Sequence, residues 1–435
     1  MEVAVAPPAL RWPAAGSAAS AAVWLAGAAV LVALFISANL LTWLDIPYTK
    51  EGGGWAFKLH PCTWITMIAA LLMAVARGPW QLAVGAPGVV LFLAAILFCV
   101  VFAGLMTGVG NLIVLLDNFL PAGLMALVLG QATPGQRAAL AWAMRGAFAI
   151  NAVLALVEAV MQATLIPLYL DGEPYRPLLE DFRPTALYDH PLTGGVMTML
   201  GLALAPPGAW LRPAYTALLG LALVVFGGRM AVAAALLAGC AIPLARLARQ
   251  VLTRRGSGGQ PALLGALAAL LAGLPIGALC MSAGLGERLY SHLYWDSSAQ
   301  ARLTEWGVLA GLDESQWVFG TARSDLLAKV NALRLDAGVE VIENFWLLML
   351  VSLGGVAFVV FAIGLFALLA SCWRGANVRG RILLVSVLAV ASTSNSLGRK
   401  STILVCLIAA VACLPSARPQ TDGWHRFDAR GPAPA

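Results

Sequence analysis

The stretch Val23-Trp-Leu-Ala-Gly-Ala-Ala-Val-Leu-Val-Ala-Leu-Phe-Ile-Ser-Ala-Asn-Leu-Leu-Thr-Trp-Leu44 carries no charged residue. As a helix it is long enough to cross a hydrocarbon layer of about 30 Å, which takes roughly 20 residues. It is also too long for the core of a signal peptide and lacks a clear small-residue cleavage site, so it reads as a first membrane helix. Similar runs follow at 60–76, 89–107, 111–130, 139–166, 192–208, 214–228, 230–247, 262–283, 344–370, 382–396 and 401–414. The expected fold is therefore all-α: a polytopic membrane protein of about twelve transmembrane helices. Composition agrees, since 11% of the 435 residues are charged and 60% are hydrophobic, against roughly 25% charged in a soluble domain.

Charge sets the sidedness. With residues 1–22 in the cytoplasm, the loops on that side hold Arg77, Arg137, Arg212, Arg246, Arg249, Arg254, Arg374 and Arg381 and almost no acid, the positive-inside pattern. The net charge of +6 follows from those arginines, and no nucleic-acid partner is implied. The opposite face receives the loops 167–191 and 284–343, which hold most of the Asp and Glu. The chain thus divides into a bundle over 23–283, a large outer loop over 284–343, C-terminal helices over 344–414 and a polar tail over 415–435 that is expected to be disordered. Helix-like stretches at Gln300–Leu312 and Ser324–Leu335 predict a small helical cap over the membrane domain. The seven cysteines show no Cys-x-x-Cys pair, and the four histidines are scattered. We expect packing thiols, no metal and no cofactor. No P-loop or dinucleotide glycine pattern is present, so energy from cytoplasmic nucleotide is not expected.

Four cationic positions gather on the outer side of this topology. Arg183 precedes Asp189-His-Pro-Leu-Thr-Gly-Gly195, Arg229 follows Gly227-Gly228, Arg302 opens Arg302-Leu-Thr-Glu-Trp306, and Arg399-Lys400 lies between the last two helices. A charge near membrane depth is costly unless it is paired or lines a wet cavity. Guanidinium forks suit phosphate oxygens, so the cluster points to a lipid-linked diphosphate; snorkelling to headgroups is the alternative for each arginine. Glu343 and Asn344 begin a long apolar helix. They read either as a helix-start signal, with Asn344 as the cap, or as a site in which Glu343 takes a proton from a sugar hydroxyl. His190 stands in the loop before a helix, either contacting substrate or shaping a turn. Asp117, Arg145, Asn151 and Glu158 fall inside spans, where Arg145 is expected to pair with Glu158 or Asp117.

In order, Arg183 with Asp189–Gly195, Gly227-Gly-Arg229, Arg302 with Trp306, Val318-Phe-Gly320, Glu343-Asn344 and Gly354 resemble the O-antigen ligase and polymerase superfamily (Wzy/WaaL-like) over roughly residues 180–400. In ligases the last element is a His, then Asn, Ser or Gln, nine residues and a Gly. Here Asn344 and Gly354 keep the spacing and Glu343 stands in place of the His, a form more like the exopolysaccharide polymerase members. The resemblance implies a GT-C-like membrane glycosyltransferase with a periplasmic cap in the bacterial inner membrane. It would join undecaprenyl-diphosphate-linked oligosaccharides without a metal, with inversion. Glu343 and Arg229 would be catalytic, and Arg183, Arg302, His190, Asn344, Arg399 and Lys400 would bind substrate. Membrane lipid and polysaccharide export or chain-length proteins would be its partners. Two rivals stand beside it: a ligase that moves finished glycan to lipid A core or protein, and a transporter of lipid-linked sugars, which would carry inverted repeats and broken helices.

Overall fold

A computed structural model describes residues 15–49, 53–108, 112–170, 173–175, 182–237, 303–337 and 342–414. The expected helix at 262–283, most of that at 230–247, Arg302, Cys240, Cys280 and the tail 415–435 lie outside the described residues. Helices dominate: α1 (Ala15–Phe35), α2 (Ala38–Trp43), α3 (Pro61–Arg77), α4 (Pro79–Gly85), α5 (Pro87–Met106), α6 (Leu112–Gly130) and α7 (Pro134–Met161) come first. A short antiparallel hairpin, β1 (Leu168–Leu170) and β2 (Glu173–Tyr175), follows. Then come α8 (Pro191–Ala203), α9 (Leu211–Phe226), a helical stretch at 229–237, α10 (Glu314–Phe319), α11 (Arg323–Ala337), α12 (Phe345–Gly375), α13 (Val378–Ala391) and α14 (Ile403–Cys413).

Among the described residues five helices are long and apolar enough to span a membrane (α1, α5, α6, α7 and α12), or six if α3 and α4 form one bent span. Of the other expected runs, those at 192–208, 214–228, 382–396 and 401–414 form shorter helices, and those at 230–247 and 262–283 lie mostly or wholly outside the described residues. The run 23–44 is cut at Ile36-Ser37, where Ser37 turns its hydroxyl to accept from Leu40 N–H and starts a new helix. Gly78, at φ 82°, and Pro79 bend α3 from α4 by 100°. Gly78 can take that backbone because it lacks a Cβ, and Pro79 cannot donate to the preceding turn.

The helices alternate in direction, so the bundle has two chemically different ends. At one end lie Arg77, Arg137, Arg145, Arg212, Arg374, Arg379 and Arg381, with no carboxylate among the described residues there. The other end collects the described residues of the segments 36–60, 162–190, 227–229, 303–345 and 392–402, and we call it the loop end. Between them, α1 packs on α3 and α12 on α5, with α14 against α6 and α8. From Ile403 to Val411 α14 is buried throughout, as a helix apolar on every face must be. Small residues set the closest crossings: a Cβ on Gly364 would meet Ala95 at 2.5 Å, and one on Gly123 would meet Leu93 at 2.6 Å. Such residues let helices approach where lipid tails offer no hydrophobic drive.

The expected helical cap takes the form of α10, α11 and a 3-10 turn at Glu305–Gly311. It has its own small core, in which Val308, Leu326 and Val330 meet Ile342, Leu347 and Val351 at the start of α12. Cap and bundle meet most closely at two glycines. Gly320 (φ 93°) and Gly354 (φ 71°) are so near that a Cβ on Gly354 would stand 2.3 Å from Gly320 N, and Thr321 N–H donates to Val351 O at 2.9 Å. This contact interrupts α12 at Gly354.

Candidate functional site

The loop carrying Arg183 is fixed from below by α7. Glu158, fully buried, accepts from the backbone N–H groups of Leu165 (2.7 Å), Thr185 (2.7 Å) and Ala186 (2.8 Å), while Asn151 Oδ1 accepts from Leu187 N–H at 3.2 Å. These bonds hold Ala186 at φ 51°, a conformation that L-residues adopt at a cost. Glu158 is therefore a loop anchor, and the expected pairing with Arg145 is corrected. Thirteen helical residues separate the two by about 20 Å. Arg145 instead donates from Nε to Leu204 O at 2.7 Å and lies 4.7 Å from the centre of the Trp142 ring.

The anchored loop lays Arg183 over the turn after α9. A Cβ on Gly227 would sit 3.3 Å from Arg183 Cδ, and Gly227 has φ 68°, a backbone conformation that favours glycine there. Arg229 follows two residues on, half-buried, at the start of the helical stretch 229–237. His190 caps α8, its Nδ1 accepting from Leu192 N–H at 3.1 Å. Surrounding protein, with Arg183 and Arg399 acting in the same direction, lowers the His190 pKa to about 4. Beside it the Asp189 carboxyl is raised by desolvation and pulled back in part by Thr193 and Arg399. Arg183, Asp189, His190 and Arg399 thus share one electrostatic neighbourhood, with Arg229 beyond the Gly227 turn.

Lys400 turns elsewhere. Its ammonium donates to Tyr48 O (2.6 Å) and Lys58 O (2.8 Å) and sits 3.9 Å from the centre of the Tyr48 ring. Burial lowers its pKa to about 8, opposed by Asp117. Lys400 therefore staples the 45–58 loop to the end of the bundle, with two of its three N–H donors spent on carbonyls. The same corner contains a network that sequence reasoning missed. A π-helical turn, Leu115–Phe119, places neighbouring Asp117 and Asn118 both inside; such turns commonly mark functional or packing constraints. Asp117 accepts from Tyr48 Oη (2.5 Å), His60 N–H (2.7 Å) and Thr63 Oγ1 (2.7 Å). Asn118 donates to Leu397 O (2.9 Å) and to Arg399 O, and accepts from Ser401 N–H at 2.8 Å. A cavity of about 20 Å³ between His60, Asp189, Thr193 and Lys400 has room for about one water.

The Glu343 junction is built by groups from three segments. Asn344 caps α12 as its spacing predicts, Oδ1 accepting from Trp346 N–H (2.9 Å) and Leu347 N–H (3.2 Å). Glu305, 2% exposed, accepts from the Glu343 N–H (2.6 Å) and the Asn344 N–H (3.2 Å). Asn395 donates to Ile342 O at 3.1 Å and accepts through its own carbonyl from Arg399 N–H at 3.1 Å. One residue thereby ties the segment carrying Glu343 to the loop carrying Arg399. Glu305 lies inside the quoted Arg302–Trp306 motif, so its type and place were visible but its role as an anchor was not; Asn395 gave no signal. The free cysteines Cys62, Cys99 and Cys406 are buried packing residues, with Cys372 and Cys413 half-buried, and no group of His, Cys, Asp and Glu among the described residues could hold a metal.

No family model, curated protein or solved structure matches this chain. The loop end of the apolar helical bundle thus carries Arg183, Arg229 and Arg399 on its loops, and the half-buried Glu343 on the segment that leads into α12.

Proposed function

We propose that the chain is a membrane glycosyltransferase that joins polyprenyl-diphosphate-linked oligosaccharides at the outer face of the bacterial inner membrane. The observation that carries this reading is the pairing of motif elements distant in sequence. Arg183 lies on Gly227, Gly320 abuts Gly354, and Glu305 from the Arg302 motif binds the Glu343–Asn344 backbone. Scattered snorkelling residues would have no reason to pair in this way. In the proposed reaction an acceptor hydroxyl loses its proton to the Glu343 carboxylate as its oxygen attacks the anomeric carbon. The bond from that carbon to the diphosphate breaks, and the anomeric centre inverts. Arg183, Arg229 and Arg302 stabilise the charge that builds on the departing diphosphate. Glu343 in place of the ligase His favours polymerisation over transfer to lipid A core or protein.

The test is conversion of purified lipid-linked repeat units to longer products in proteoliposomes without nucleotide. Arg229→Ala should slow it about 10²- to 10³-fold, the cost of removing one preorganised donor. Unchanged product length and rate would overturn the assignment. A carrier of lipid-linked sugars is the second reading, favoured by the interrupted helices at Ser37, Gly78 and Gly354. It predicts movement of the lipid between leaflets with no new glycosidic bond.

A further inference from the structure

At the arginine-rich end, far from the loop end, α1 and α7 part to leave a groove of about 200 Å³. Its walls are small and apolar, with Gly27 and Ala28 on α1 facing Ala139 and Ala143 on α7, and Trp24 is exposed at the rim. That volume is below the 300 Å³ or so of small-molecule pockets, and the nearly wholly apolar walls offer nothing to a sugar. It suits a length of hydrocarbon chain. Arg137 stands at the polar edge of the groove. Its Nη2 donates to the last carbonyls of α6, Gly130 O at 3.2 Å and Leu129 O at 3.5 Å, which leaves its buried Nε with no hydrogen-bond partner. A buried guanidinium N–H without an acceptor is costly, and an anionic oxygen at the groove edge would remove that cost. The field is right for one, because seven arginines and no carboxylate occupy this end among the described residues.

We infer that this groove is a binding site for one anionic phospholipid, its acyl chain between α1 and α7 and its phosphate on Arg137. The site lies on the leaflet opposite the proposed transfer chemistry and does not depend on that reading. Such a lipid would join α1, the end of α6 and the start of α7 with one ligand, as basic pockets between membrane helices do for anionic headgroups.

The full-length protein is reconstituted in bilayers of equal phosphatidylglycerol and phosphatidylcholine, extracted in mild detergent, and its retained lipids are counted by native mass spectrometry. Wild type should keep one phosphatidylglycerol. Arg137→Gln should reduce its preference for that lipid on the order of tenfold, the worth of one charge-assisted bond. Arg137→Lys should keep most of the preference, and Ala143→Phe, which fills the groove from a lipid-facing position, should lose the bound lipid altogether. Arg381→Gln, at the same end but outside the groove, should behave as wild type. Equal losses in Arg137→Gln and Arg381→Gln would show a diffuse surface field and overturn the site, as would full retention in Ala143→Phe. Displacement by glycerol phosphate alone would show that the acyl chain contributes nothing and would equally overturn it. Should Arg137→Gln fail to fold, Arg137→Lys and Ala143→Phe carry the same decision.

Discussion

Replacing Glu305 by alanine tests the proposed site without touching any group that meets substrate. Glu305 is buried and accepts the backbone N–H groups of Glu343 at 2.6 Å and of Asn344 at 3.2 Å. A hydrogen bond to an ionised group contributes about 1.5 to 3 kcal/mol, and a buried donor left without an acceptor costs about 1 to 3 kcal/mol. Two orphaned N–H groups therefore put Glu305→Ala at about 2 to 6 kcal/mol, concentrated where the cap meets α12. Because the bundle core does not include Glu305, the loss should appear as faster amide hydrogen exchange over residues 342–348 while α1, α5 and α14 keep their protection. Freed from this anchor, Glu343 shifts relative to the arginines, and a misplacement of 1 Å costs roughly a hundredfold in rate. Glu305→Gln keeps one acceptor oxygen, so it should recover most of both the protection and the transfer rate in proteoliposomes. If Glu305→Ala exchanges as slowly as wild type, the anchoring argument is wrong. If the glutamine variant is as inactive as the alanine variant despite restored protection, Glu305 acts through charge, and its role as a positioning residue fails.

Two further predictions rest on single contacts. Gly354→Ala would place a Cβ 2.3 Å from Gly320 N at φ 71°; backbone strain of about 1 to 3 kcal/mol adds to overpacking of about 1 to 3 kcal/mol. The cap should then detach from α12, and a protease cut within 303–337 that wild type resists should appear, whereas wild-type resistance would contradict the contact. The second concerns Lys400, whose pKa falls from 10.5 to about 8 through burial. Between those values the unfolded chain holds more protons than the folded one, so stability from this group rises with pH across the window. The difference in melting temperature between wild type and Lys400→Met should move in favour of wild type from pH 7.5 to 10.5; a flat difference would place the ammonium in solvent.

Hydropathy alone gave away the apolar helices and their alternation, since a membrane accepts only segments that satisfy their own backbone bonds. The cap of Asn344 was equally legible, because a side-chain acceptor two or three residues before its donors is a local matter. Helix breaks were not. Breaks at Ser37 and Gly354 depend on what packs beside them, and hydropathy averages over a break. Partners of buried charge were also hidden. Glu158 looked like a mate for Arg145, yet its acceptors' donors are backbone N–H groups of a loop 7 to 28 residues away, which have no signature in residue type. Lys400 read as a ligand for phosphate, but Tyr48 and Lys58, more than 340 residues distant, occupy its donors.

By itself the sequence determined that the chain is helical and apolar, that carboxylates gather at one end while the other holds arginine alone, and which residue types could meet a diphosphate. Only the tertiary structure showed that Arg183 lies over the Gly227 turn and that Lys400 binds the carbonyls of Tyr48 and Lys58. The physical reason is that hydrophobicity is a property of each residue and survives summation along the chain. Pairing is a property of distances, and the distances that matter here close over tens to hundreds of residues.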